Sequence, residues 1–412
     1  MLRLPKIFTN SLAGAVFGAL VAWVAWEPPD LFFMLWLLPV AWAGLPVSGR
    51  RAMMLTYLLT ALAPVTASVS EFYPGPYSWL AGIAAWIVVA LLLWTPWALL
   101  ARMGRYAGLG WVIGLLLTAV PPLGAIGMAS PLFAATAVFP GWGMYGLGAT
   151  ILLQAGLASP PLRLRAAALA GLFAAGIIAL VLPYATPPMP HEWQAINTQL
   201  GREPDSGMHW IDRQITLKHR VAVWMASAPP GSTVLLPEGI AGTWTGLSAL
   251  AWASIAHQAA KAHDTILMGV TLPLPNNKRS DALLALGAHG GVLSARQPVP
   301  LSEWNPATRR NFPADWTRLG GYRIGRTRVV LLMCYEQLLV WPAAWAMAPD
   351  QHPQIILAPA NHGWADSGSV EDTIQRNAAM AWGRLYGVPV LMADNGPKKR
   401  PRTSTRSGVD KV

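Results

Sequence analysis

Apolar residues follow two different rhythms along this chain. Up to Pro183 they run almost without interruption. Runs long enough to cross a bilayer, roughly 17–25 residues, lie at 10–26, 31–48, 53–71, 79–100, 108–128, 140–158 and 166–183. The fifth is interrupted by Pro121 and Pro122, and the sixth is rich in Gly. One such run could be a signal peptide, but a repeated series cannot. The pattern predicts about seven membrane-spanning helices. From Tyr184 the runs become short and bounded by Gly, Pro and polar residues. Strands are expected at 193–201, 232–239, 265–273, 354–364 and 388–396, with hairpins at 282–297 and 321–334. Helical spacing falls at 208–226, 245–263, 336–348 and 370–387. Alternating strands and helices predict an α/β fold with helices covering sheet. The expected division is a transmembrane domain at 1–183, an α/β domain at 184–396 and a basic tail at 397–412.

Charge refines this picture. In the apolar half the basic residues are Arg3, Lys6, Arg50, Arg51, Arg102, Arg105, Arg163 and Arg165. They fall at the start and in alternate connections, whereas Glu27, Asp30 and Glu71 fall in the others. The positive-inside rule then places the N-terminus in the cytoplasm. An odd number of crossings places the chain after Pro183 on the far side. The net charge of +11 does not point to nucleic acid. Much of it sits in the membrane-half connections and in the tail residues Lys398, Lys399, Arg400, Arg402, Arg406 and Lys411.

Candidate chemistry gathers at two strand ends. Cys334 is the only cysteine of the 412 residues, so it can form no internal disulfide. It ends the apolar run of RVVLLMCYEQ (328–337), where an open strand end would present a thiol nucleophile. A lone buried cysteine is also a common small hydrophobe. STVLLPEG (232–239) delivers Glu238 in the same manner, and a carboxylate beside a thiol can take its proton. The His residues are scattered without ligand spacing, so no metal is expected. His362 reads as pocket lining rather than a ligand. No phosphate loop or dinucleotide motif is present, so no cofactor is expected.

In chain order LLPEG, PVP-x-x-E, LLMCYE, APANHGW and ADNG, behind a multi-pass membrane half, resemble apolipoprotein N-acyltransferase, a membrane member of the nitrilase (carbon-nitrogen hydrolase) superfamily. CYEQLLVWP at 334–342 and the loop Pro298 to Trp304 resemble more closely the TraB family of conjugal transfer proteins from rhizobial and Ti-type plasmids. The resemblance implies a four-layer αββα sandwich and a Glu, Lys and Cys triad. It implies Glu238 as general base and Cys334 as nucleophile, with Arg296 standing where the family has its lysine. It further implies that Glu303, Tyr335, Glu336, Asn361 and Trp364 support the site. Arg offers charge but cannot readily shuttle a proton. The family continues past its Asn-Gly strand, so the sandwich is expected to be incomplete at its C-terminus. The implied setting is the bacterial inner membrane, with the α/β domain periplasmic. A membrane phospholipid is the implied acyl donor and a protein amine the acceptor. Two other readings stand beside acyl transfer. One is a nitrilase-type amidase using water. The other is a catalytically weakened protein that supports assembly of the mating apparatus.

Overall fold

The structure, a computed structural model, describes residues 6–26, 31–182, 184–202, 207–305, 311–347, 352–365 and 370–398. Arg3, Glu27, Asp30 and the tail from Lys399 onward lie outside the described residues.

The first half is helical. α1 (Lys6–Trp26) packs along α3 (Val47–Ala61), and α2 (Leu37–Gly44) follows a short 3-10 turn at Phe32–Trp36. α4 (Val65–Phe72), α5 (Ser78–Leu100), α6 (Ala107–Ala119), α7 (Ala134–Val138), α8 (Gly143–Ala158) and α9 (Leu162–Val181) complete it. Close approach explains Gly14 and Gly18. A Cβ there would lie 2.3 Å from Gly49 O and 2.1 Å from Met53 O. Such contacts are what small residues permit between helices in lipid. Among the described residues four stretches are long and apolar enough to cross a membrane: Thr9–Trp26, Val47–Phe72, Ser78–Leu100 and Leu162–Val181. Phe32–Gly44 and Gly143–Ala158 are shorter apolar helices. The expected fifth run, 108–128, ends as a helix at Ala119. The cause is local: Pro121 and Pro122 supply no backbone N–H, and a residue before proline leaves the helical region. Val120 is accordingly extended, at φ −116° and ψ 151°.

The second half forms two sheets. The first has the order β1 (Trp193–Ala195), β2 (Thr233–Leu235), β3 (Thr265–Leu274), β4 (Lys278–Gly287), β5 (Gly291–Ser294). The second is β6 (Tyr322–Ile324), β7 (Thr327–Leu331), β8 (Ile355–Asn361), β9 (Val390–Asn395). β1, β2 and β3 are mutually parallel, as are β7, β8 and β9. Side chains alternate between layers, as the period of two requires. Leu235, Leu267, Leu283 and Leu293 meet Val329, Leu331, Leu357 and Leu391 in one core between the sheets. Val234, Leu236, Ile266 and Met268 face α10 (Gly207–Ser227) and α11 (Gly246–Lys261). Val330, Leu332 and Ile356 face outward in a core shared with α12 (Val340–Ala346) and α13 (Glu371–Tyr386). The result is a four-layer αββα sandwich.

That last core continues into the N-terminal apolar helices. Trp382 of α13 stacks on Phe133 at 4.5 Å between ring centroids. Ser68 Oγ donates to Glu371 Oε1 at 2.9 Å, and Gly141 N–H donates to Arg384 O at 2.8 Å. At the opposite end of the helical path from Val47 to Phe72, Arg50 donates to Trp42 O and Ala101 O. Arg51 donates to Ala98 O, and Arg165 lies close enough to Arg50 to oppose its charge. Arg50, Arg51 and Arg165 thus gather at one end of the helices, and the sandwich docks at the other.

Candidate active site

Parallel strands carry their functional groups to a common end, where sites of α/β sheets form. β2 leads into Leu236, Pro237 and Glu238. Gly239 turns the chain with φ +55°. Gly269 of β3 makes room for this turn, since a Cβ on it would fall 1.9 Å from Pro237 O. β7 leads through Leu332 and Met333 to Cys334, whose φ is +40°. A non-glycine residue in this region is strained, and such strain marks functional turns.

The turn is strapped from behind. Glu336 is fully buried. Its Oε2 accepts from Met333 N–H at 2.8 Å, and its Oε1 accepts from Gln297 N–H at 2.8 Å and from Arg296 N–H. Burial raises the Glu336 carboxyl above its usual range, while Arg296 and these three N–H groups pull the other way. Gln337 Nε2 donates to Leu332 O and Pro359 O at 3.0 and 3.1 Å, tying β7 to β8. Tyr335 donates to Ala125 O at 2.9 Å, so the Cys334 turn is anchored to the helical half.

Around the sulfur, Glu238 and the Asn361 backbone lie close enough to act on the Cys334 thiol, Glu238 opposing its ionisation and the Asn361 backbone favouring it. The Asn361 side chain donates to Glu238 O at 3.0 Å. Its Oδ1 accepts from Asn395 Nδ2 at 2.8 Å, and Asn395 is itself fully buried with every polar atom bonded. Glu238 also lies beside Asp281 of β4. Glu303 follows, held by Val299 N–H at 2.9 Å. Oxygens of Glu238, Asp281 and Glu303 lie within 4.8 Å of one another. That spacing would admit a cation, and it equally suits carboxyls that share protons. Burial first, then like charge, raises all three carboxyls: Glu238 to about 7, Glu303 to about 8, and Asp281 well above its usual range. The thiol is pushed up by burial and by Glu238.

Arg296 is a correction. It is fully buried, but its guanidinium bonds to backbone carbonyls of Arg318, Gly320 and Leu331 rather than to the thiol or Glu238. The strand register explains this. Leu293 and Ala295 face the inter-sheet core, and Ala295 N–H donates to Asp281 O at 2.8 Å. The side chain beside the acids is therefore an alanine, and Arg296 points elsewhere. Lys278 sits exposed at the far end of the β3–β4 hairpin, paired with Leu274. Among the described residues no Lys or Arg forms an ion pair with Glu238, Asp281 or Glu303. Trp364 stacks edge-on against Phe72 of α4 at 5.7 Å, closing the site against the helical half.

Asp281 escaped the sequence reading. The available signal was an acid leading directly into the apolar strand ALLAL, where a charge is costly to bury unless it has a partner.

The chain is 29% identical over 411 residues to a protein named probable conjugal transfer protein TraB from Sinorhizobium fredii, covering 95% of this chain and 98% of that one. It is 29% identical over 389 residues to the conjugal transfer protein TraB of Agrobacterium fabrum, covering 87% and 86%. No family model matches. Among solved structures, an amidase from Nesterenkonia sp. is similar at 17% identity and a TM-score of 0.36, covering 50% of this chain and 76% of that one. A mutant of the Nesterenkonia AN1 amidase, described as from the nitrilase superfamily, gives 18% and 0.36, covering 50% and 78%. The resemblance to TraB conjugal transfer proteins thus runs nearly the whole chain.

Proposed function

We propose that this protein is a membrane-embedded acyl-transfer enzyme of the bacterial inner membrane, working in conjugative plasmid transfer. The observation that carries the reading is the Cys334 thiol placed beside the Glu238 carboxyl on a strained turn. Glu238, poised at about 7, takes the thiol proton. The thiolate attacks the carbonyl carbon of an acyl ester, forming the S–C bond. The developing oxyanion is met by backbone N–H groups at the strand ends, and the Asn361 backbone at the end of β8 is close to the sulfur. As the tetrahedral adduct collapses, the C–O bond breaks and protonated Glu238 returns its proton to the leaving alkoxide. A thioester remains. An acceptor amine then attacks it, Glu238 takes the amine proton, and the released thiolate regains a proton.

A membrane phospholipid as donor agrees with the position of the site, beside Phe72 at the end of an apolar helical path. A protein amine as acceptor agrees with a sandwich on the non-cytoplasmic face. The clustering of Arg50, Arg51 and Arg165 at the remote end supports that orientation. The test is mass spectrometry of protein purified from membranes. A hydroxylamine-labile acyl group on the Cys334 peptide, absent in C334A, is expected. No such adduct under conditions that trap one in a control acyltransferase would overturn the reading.

One observation favours a second reading. Among the described residues no Lys or Arg is paired with Glu238, Asp281 or Glu303 where the family's lysine would stand, which suits a protein that supports the mating apparatus without turnover. Plasmid transfer by C334A separates the two. Loss of transfer at normal protein level supports catalysis, and undiminished transfer supports the structural role.

A further inference from the structure

The outer helices of the first sheet begin with apolar side chains that no described residue covers. On α10 Met208 is 69% exposed, Ile211 46% and Ile215 59%. On α11 Leu247 and Leu250 are each 74% exposed. Met208, Ile211 and Ile215 recur at helical spacing and so share one face of α10. The two helices lie side by side, joined where Trp252 Nε1 donates to Gln214 Oε1 at 2.8 Å. A single exposed leucine is ordinary, whereas a group of this kind on neighbouring helices marks a contact surface.

Topology fixes which way this surface looks. β1, β2 and β3 are parallel and run towards the site, so α10 and α11, which join them in turn, start at the site end and run back from it. That is the end on which Trp364 meets Phe72 of the helical half. A separate contact agrees: Arg202, just ahead of α10, donates to Phe72 O at 3.1 Å and to Glu71 O at the end of α4. Beyond α4 the exposed aromatics Tyr73, Tyr77 and Trp79 lead into α5. Rings with one apolar and one polar side gather at the level where lipid meets water. Arg202 thus ties the start of α10 to that level.

We propose that the first turns of α10 and α11 form a second membrane contact, resting in the lipid headgroup layer beside the apolar helices. The proposal rests on the reading of those helices as membrane-spanning. Continuity with the aromatic level selects lipid as the occupant, because a surface held at that level meets the bilayer before any other partner. Helices that lie at an interface bury their apolar side chains in the same layer. The contact keeps the strand ends that carry Glu238 and Cys334 turned to the bilayer. It also has a limited depth. The headgroup layer is roughly 5–8 Å thick on each side. At 1.5 Å per residue, Ile215 lies about 10 Å and Val223 about 22 Å along α10 from Met208. Lipid contact therefore fades at Ile215 and is absent at Val223, although Val223 is 56% exposed.

Because Cys334 is the only cysteine, C334A gives a full-length background in which one added cysteine carries one fluorophore. C334S serves if C334A fails to fold. M208C, I215C, V223C and L250C are labelled with an environment-sensitive dye, together with L92C on the exposed outside of α5. The proteins are placed in phosphatidylcholine–phosphatidylglycerol nanodiscs containing lipid spin-labelled on the headgroup or on the acyl chain, and iodide probes access from water. Headgroup-labelled lipid is expected to quench M208C and L250C strongly, I215C weakly and V223C not at all, with iodide giving the reverse order. Equal lipid quenching at Met208 and Val223 overturns the proposal. So does a label at Met208 or Leu250 shielded from both quenchers, which would mean that a second copy or another protein covers the face. An L92C label untouched by chain-labelled lipid refutes instead the membrane reading beneath it.

Discussion

The two sides of the Cys334 turn are built on opposite electrostatic plans. Behind the turn, Glu336 meets three backbone N–H groups and the nearby Arg296 charge, and the Arg296 guanidinium is met by backbone carbonyls. In front of it, Glu238, Asp281 and Glu303 crowd together, and among the described residues no basic side chain is bonded to them. The first arrangement satisfies its charges and fixes the backbone. The second leaves its charges in conflict, and proton sharing relieves them. A buried acid with its donors in place is architecture, whereas buried acids facing each other titrate near neutrality and can move protons. The difference explains why the same residue types, a few residues apart, carry different roles.

Breaking the satisfied side gives the largest effect. E336Q places an NH2 group against a backbone N–H and strips Arg296 of its counter-charge. A loss of about 3–5 kcal/mol is expected, read as a large fall in Tm of the solubilised protein. An unchanged Tm removes the strap from the account.

The crowded side responds with the opposite sign. The carboxyls there are raised in the folded protein, so the folded state holds more protons than the unfolded one above the usual carboxylate range. Stability therefore falls as pH rises from about 4.5 towards 7 and 8, the folded values of Glu238 and Glu303. D281N removes one repelling charge. It is expected to gain on the order of 1–2 kcal/mol at pH 8 and little at pH 5, measured by thermal unfolding at both. A loss at pH 8, or a gain independent of pH, contradicts the conflict assigned to this pocket.

The smallest effect belongs to the link that joins the turn to the helical half. Y335F deletes the hydrogen bond to Ala125 O. About 1 kcal/mol is expected, with the alkylation profile of Cys334 unchanged because the hydroxyl is bonded to Ala125 O. A shifted profile places Tyr335 in the chemistry.

Much of this was legible in the sequence because it rests on short-range patterns. The strand runs before Glu238 and Cys334 showed where the chain delivers its reactive groups, and the structure brings those two together. The double proline at 121–122 marked a break whose outcome, a helix stopped at Ala119, depends on local backbone sterics alone. Arg296 and Asp281 were misjudged for one shared reason. Whether a side chain faces the site depends on strand register, and a shift of one residue exchanges the faces. Position 296 looked equivalent to the family's lysine, but pairing across β4 and β5 puts Ala295 beside Asp281. The tie of Tyr335 to Ala125 joins residues far apart in sequence, and no local pattern announces it.

The central claim is that Glu238 activates Cys334, and the pH dependence of Cys334 alkylation in wild type and E238Q tests it most directly. Wild type is predicted to gain reactivity as pH rises through about 7, where Glu238 ionises. E238Q is predicted to lose that step and to react at least 100-fold more slowly near pH 7.5, the lower end of a general base's contribution. Equal profiles for the two proteins would contradict the account.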